Sequence, residues 1–215
     1  MRAVWDALAA AETEVYVGDP ARGEEELASL FGRLGADPRG GVCVEVGCGP
    51  GRMTGALAAR FHRVIALDVS REMLARAAAE VTAANVDFRQ VSGEALDGVE
   101  SVSADVAVCY LVLQHLPSRR LVWAYIGEIA RVLRSGGEAF VQLPVLHGGL
   151  LPRLWRALRT PLARLSKPEL RGVRLTRREL ERAVAHAGLT VVATDTGPDS
   201  PYRFSTDVFL RLRRR

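Results

Sequence analysis

The residues Glu45-Val46-Gly47-Cys48-Gly49-Pro50-Gly51 put an acid two places ahead of three glycines at alternate positions. Glycine takes φ > 0 freely, turns the chain sharply and leaves bare backbone for a ligand to approach. Beyond such a turn, a helix N-terminus offers unpaired N–H groups to a ligand carboxylate. Asp68 closes an apolar run 17 positions after Gly51. Its two oxygens can accept both hydroxyls of a ribose. His115 is a candidate general base, since its ordinary pKa lies near neutrality.

The elements around these residues read as follows. Val42 to Val46 is a short β-branched strand, and Thr54 to Phe61 carries Leu57, Ala58 and Phe61 at helical spacing. Strand, glycine turn and helix open a nucleotide-binding βαβ unit. The dinucleotide fingerprint fails because its sixth place is Arg52, and no Gly-Lys-Ser/Thr ending supports a phosphate P-loop. What remains, acidic-x-Gly-x-Gly-x-Gly, resembles motif I of the class I S-adenosylmethionine-dependent methyltransferases. The plainer reading is a tight βα turn that binds nothing.

The resemblance continues downstream. Ala104 to Tyr110 resembles the family's fourth strand, Leu113-Gln114-His115-Leu116-Pro117 its Leu-Gln/His-His-Leu-Pro stretch, and Arg131 to Gly137 its Arg-x-Leu-(Lys/Arg)-Pro-Gly-Gly, with Ser135 in place of proline. It is close over residues 42–143 and loose at both ends. It implies S-adenosyl-L-methionine as cofactor, gripped by Glu45, Gly47, Cys48, Gly49 and Gly51, with Asp68 and Val69 at the ribose. Met73 is either core or an apolar wall for adenine. Ser92-Gly93-Glu94 stands where the family meets the adenine amino group, and Tyr110 runs along the methionine part. His115 is either the base or a helix-start residue.

The implied fold is α/β: a Rossmann-like, seven-stranded, mostly parallel sheet in the order 3-2-1-4-5-7-6, with helices on both faces and an N-terminal helical cap. One domain spans residues 1–215. Residues 1–40 are the N-terminal cap, 41–146 the cofactor-binding core, 147–175 a variable cap, and 176–215 the last helix and strands. Tyr16, His147 and Trp155 are candidates for lining a substrate pocket, with packing as the alternative for each.

Local signals fill in the rest. Leu27, Leu30, Phe31 and Leu34 share one face of a helix from Glu24. Ser70 and Ser118 are N-caps, and Thr176 with Glu179 makes a capping box. The helix that Ser118 caps ends at the Gly136-Gly137 stop before a fifth strand over Glu138 to Leu143, and Gly197 to Pro201 reads as a turn. Asp105 begins the fourth strand, far from the carboxyl end, which suits a structural role.

The chain has 215 residues, 48% apolar and 25% charged, which suits one domain with a full core. No apolar run approaches the roughly 20 residues of a membrane helix. The first residues lack a cationic, apolar leader, and three cysteines without metal spacing read as free thiols. A cytoplasmic protein with no metal is expected. Net charge is +4, and arginines crowd residues 153–182. A solvated face is the plainer reading; docking of nucleic acid or another anionic surface is the other.

The expected activity is methyl transfer to a small-molecule oxygen or nitrogen nucleophile by in-line displacement. The rivals are an RNA or protein methyltransferase docking through the arginine-rich cap, and a non-catalytic S-adenosylmethionine-binding protein.

Overall fold

Short apolar runs between turn residues become the strands of one mixed sheet. The computed structural model describes residues 3, 5–7, 22–148, 172–199 and 204–215, with only the backbone of 198 and 199. Tyr16, Trp155 and most of the arginine-rich stretch lie outside the described residues. The central parallel strands are β1 (Val42–Val46), β2 (Arg63–Asp68), β3 (Val86–Gln90), β4 (Ala104–Cys109) and β5 (Leu133–Leu146). A two-residue β6 (Leu175–Thr176) pairs with the end of β5, and β7 (Leu189–Asp199) and β8 (Ser205–Arg214) complete the sheet. The order is β3-β2-β1-β4-β5-β8-β7, with β8 antiparallel to both neighbours. This is the expected order once the added β6 is allowed for.

Helices cover both faces, as parallel crossovers require. On one side lie α1 (Gly23–Arg33), α2 (Thr54–Arg60) and α3 (Arg71–Glu80). Leu27, Leu30 and Phe31 of α1 are buried there, and Phe31 meets Phe140 of β5 edge-on at 4.7 Å. Such an aromatic pair contributes roughly 0.5–1.5 kcal/mol beyond its buried area. On the other side lie α4 (Arg119–Val132) and α5 (Arg177–His186), whose Val122, Ile126, Ile129, Leu180 and Val184 face the sheet. Caps form as their sequences dictate. Ser70 accepts from Met73 N–H, Ser118 from Leu121 N–H, and the Thr176–Glu179 box closes in both directions.

Two segments differ from expectation. Residues 133–137 do not form a helix end but extend β5 backwards, with a bulge where Ala104 pairs Leu133 and Val106 already pairs Glu138. Gly136 at φ +77° absorbs the extra residues. β7 likewise runs through the expected turn at Gly197 as far as Asp199, with an irregularity after Thr196, because pairing to β8 continues that far. Asp105 is structural in its contacts: it accepts the Val42 N–H at 2.7 Å and lies beside Arg134.

Candidate active site

The carboxyl ends of β1, β2 and β4 converge on one cleft, where ligands bind in open parallel sheets. Gly47, Cys48, Gly49, Asp68, Val69 and Met73 line one part of it. Tyr110, Leu111, Val112 and His115 line another. A smaller cavity adjoins it, walled by Glu45, Gly47, Arg52 and Tyr110.

The glycine turn is fixed by its neighbour β2. Gly47 and Cys48 donate their N–H groups to the Leu67 carbonyl at 2.7 and 2.9 Å, and Gly49 donates to Asp68 Oδ2 at 2.9 Å. These amides are therefore taken up within the protein. The turn offers a ligand space instead. A Cβ on Gly49 would meet nothing within 4 Å, on a residue that lines the cleft. Gly47 serves a different need: a Cβ there would come within 2.4 Å of Val112 Cγ2. Gly51 packs against Ala77 and Val81 around α3 and is not among the cleft-lining residues.

Asp68 is buried, and both its oxygens are anchored: Oδ2 by Gly49 and Oδ1 by Ser70 N–H at 2.8 Å. Burial pushes its carboxyl above the usual range, while amide hydrogen bonds from Ser70, Gly49 and Val69 hold it back and Asp6 pushes it up. Three amides do not fill the roughly four acceptor sites of a carboxylate, so Asp68 keeps capacity for a further donor. Glu45 is buried on β1 and accepts Thr54 Oγ1–H at 2.6 Å. Burial is the chief cause that raises it to about 8; the Thr54 bond lowers it, Asp68 raises it and Arg52 lowers it.

Several neighbours are visible only in three dimensions. Arg52 Nη1 sits 3.0 and 2.8 Å from the two Glu26 oxygens, tying α1 to the turn, and its guanidinium lies 5.8 Å from the Tyr110 ring centroid. Trp5 lines the cleft and meets the His115 ring edge-on at 5.1 Å, while Asp6 accepts the Ser70 hydroxyl. Trp5 and Asp6 thus reach the cleft. Tyr125 of α4 also lines it, its phenol pushed up chiefly by burial. In sequence Tyr125 is one residue of an apolar stripe, and only its hydroxyl hints at more. In sequence Trp5 reads as a packing residue of an N-terminal helix.

Other expected residues fall elsewhere. Ser92, Gly93 and Glu94 are not among the cleft-lining residues; Ser92 and Glu94 are exposed, and Gly93 stands behind Val69. His147 sits at the end of β5 with Nε2 2.6 Å from Thr206 Oγ1, away from the cleft lining. His115 Nε2 is 3.1 Å from Gln114 Nε2. Among the described residues no cluster of three or more His, Cys, Asp or Glu could hold a metal ion, and no helix is long and apolar enough to cross a membrane. Cys43, Cys48 and Cys109 are free and buried.

Comparison with known proteins agrees with this geometry. Residues 44–141 match the family described as a methyltransferase domain. The ubiquinone biosynthesis O-methyltransferase of Methylococcus capsulatus is 32% identical over 103 residues, 47% of this chain and 42% of that one. The chain thus matches less than half the length of the curated relatives it resembles. Among solved structures, the magnesium protoporphyrin IX methyltransferase of Synechocystis PCC 6803, solved with bound SAH, superimposes with TM-score 0.62 at 21% identity, covering 93% of this chain and 84% of that one. A methyltransferase solved in complex with the Haloferax volcanii Trm112 activator reaches TM-score 0.71 at 20% identity over 98% of both chains. With the glycine turn, the acid ending β2 and the strand order all in place, residues 44–141 match a methyltransferase domain, on a fold shared with solved methyltransferases.

Proposed function

We propose that this chain transfers the methyl group of S-adenosylmethionine to an oxygen or nitrogen nucleophile of a small molecule. The observation that carries the reading is Asp68. It is a buried carboxylate on the cleft wall, held by backbone amides on both oxygens, opposite a glycine whose missing Cβ leaves open space. A vicinal diol suits the acceptor capacity that remains, so the residues present fit the cofactor.

Asp68 would hold the ribose hydroxyls, with Val69 and Met73 as apolar walls for adenine. The Ser92–Glu94 turn would act from behind Val69. Glu45, Gly47 and Tyr110 would receive the amino-acid end, Cys48 and Gly49 would flank the chain between, and Gly51 would keep the turn close on α3. The cofactor's sulfonium supplies an already electrophilic methyl group. The residues around it therefore need only align the acceptor, exclude water and, for a hydroxyl or amine, take up a proton. Trp5 and Leu111 would shut out water, and a His115 ring nitrogen is the group at hand for the proton. A carboxylate acceptor would need no base.

The names of the curated relatives, O-methyltransferases, support an oxygen acceptor. The free buried thiols support a reducing, cytoplasmic setting. Tyr16 and Trp155 stay as candidate acceptor contacts on sequence grounds. The test is titration calorimetry with S-adenosylmethionine and S-adenosylhomocysteine, followed by a metabolite-extract screen for methyl incorporation. Binding of both ligands and incorporation into a small molecule are expected. Absence of any binding heat would reject the reading, and binding without turnover on any acceptor would leave a non-catalytic binder.

A further inference from the structure

The loop after β4 contains a backbone conformation that its own sequence does not favour. Leu111 has φ +59°, in the left-handed region that side-chain-bearing residues avoid. Two observations connect this to the cofactor cleft. Leu111 and Val112 both line the cleft. Val112 lies so close over Gly47 that no side chain fits there, so the position of this loop and that of the glycine turn determine each other.

Leu111 is held by one side chain. Its N–H donates to Oε1 of Gln142, on β5, at 3.1 Å. Gln142 is 1% exposed and lies on the sheet face that carries Phe140 and Phe209. Because Leu111 offers a donor, the Gln142 carbonyl must face it, and the amide nitrogen points elsewhere. That nitrogen is buried and has no hydrogen-bond partner among the described residues. A buried, unpaired amide is costly, and an apolar residue of the same shape would serve the core better. Retaining glutamine makes sense if its carbonyl is needed.

We propose that Gln142 is a positioning residue for the cofactor site, holding Leu111 in its left-handed conformation so that Val112 closes on Gly47. This rests on the reading of the cleft as an S-adenosylmethionine site. Without the Gln142 carbonyl, the loop spreads over extended conformers, and apparent affinity falls by the fraction that remains competent.

A double-mutant cycle read by calorimetry with S-adenosylhomocysteine tests it. Gln142→Leu is expected to weaken binding about tenfold in the wild-type background, with a melting temperature equal to or above that of wild type. In the Leu111→Gly background, where the left-handed region is freely accessible, the same substitution is expected to cost no more than about threefold. An equal loss in both backgrounds, or no loss in the first, overturns the proposal. Should Gln142→Leu not fold, Gln142→Met runs the same cycle. Wild-type protein that fails to bind would instead sink the cofactor reading itself, so the two failures are distinguishable.

Discussion

Gly49 donates its backbone N–H to Asp68 Oδ2 at 2.9 Å, which makes the glycine turn after β1 and the acid ending β2 a single unit. The acid is thereby oriented before any ligand arrives. Asp68→Ala removes the acceptor proposed for the ribose hydroxyls. Hydrogen bonds to charged groups contribute roughly 1.5–3 kcal/mol each. Calorimetry should therefore record a loss of about 100-fold or more in cofactor affinity. The Gly49 and Ser70 amides lose their partner too, so the melting temperature should fall by about 5 °C while the variant stays folded. Unchanged affinity would remove Asp68 from the ribose.

Gly47 and Gly49 should respond unequally to an added methyl group. Gly47→Ala drives Cβ into Val112 at a position with φ +71°, and should cost about 2–4 kcal/mol in denaturant unfolding. Val112→Ala in that background should recover part of it. Gly49→Ala meets no neighbour and should cost only about 1 kcal/mol. The bulkier Gly49→Val should still fold yet lose cofactor binding, because its side chain fills space on the cleft wall. Equal destabilisation by the two alanine substitutions would contradict this division.

Glu45 gives the apoprotein a pH signature. Its folded carboxyl is raised to about 8 from an ordinary 4.5, so the folded state holds a proton that the unfolded chain releases. Its contribution to stability is fully present below the unfolded value and is lost as pH rises through about 8. Carboxylates lowered by arginine neighbours, such as Asp87 and Glu128, act in the opposite sense. The test is therefore a difference. Wild type minus Glu45→Gln should lose stability steadily between pH 5 and 8, by a few kcal/mol as an order of magnitude. A flat difference would mean that Glu45 is ionised in the apoprotein.

Local signals explain what could be read from the sequence. The strand β1, the glycine turn, Asp68 and the caps at Ser70, Ser118 and Thr176 each depend on residues within a few positions of one another, and they fold as their pattern suggests. Non-local pairing explains the rest. Residues 133–137 look like a helix stop, but the pairing of Ala104 with Leu133 carries them into β5. The pair Val145–Leu175 creates β6 across a long stretch of chain. Leu111 and Gln142 meet across 31 positions, and Trp5 and His115 across far more, so no spacing rule could join them.

The Trp5–His115 contact leads to an optical test. Trp5 lines the cleft, with its ring edge-on to His115, and the neighbouring Asp6 accepts the Ser70 hydroxyl directly after the ribose-side acid. Cofactor bound as proposed, between Asp68 and Tyr110, would therefore change the surroundings of the indole. Trp123, on α4, packs beside His186 on the sheet's other helical layer and should not sense it. Adding S-adenosylhomocysteine should shift or quench tryptophan emission in wild type and in Trp123→Phe. Trp5→Phe should lose most of that change while binding within about threefold of wild type, since phenylalanine keeps an aromatic wall. An undiminished change in Trp5→Phe, with Trp155 also replaced by phenylalanine, would mean that Trp5 does not cover the bound cofactor.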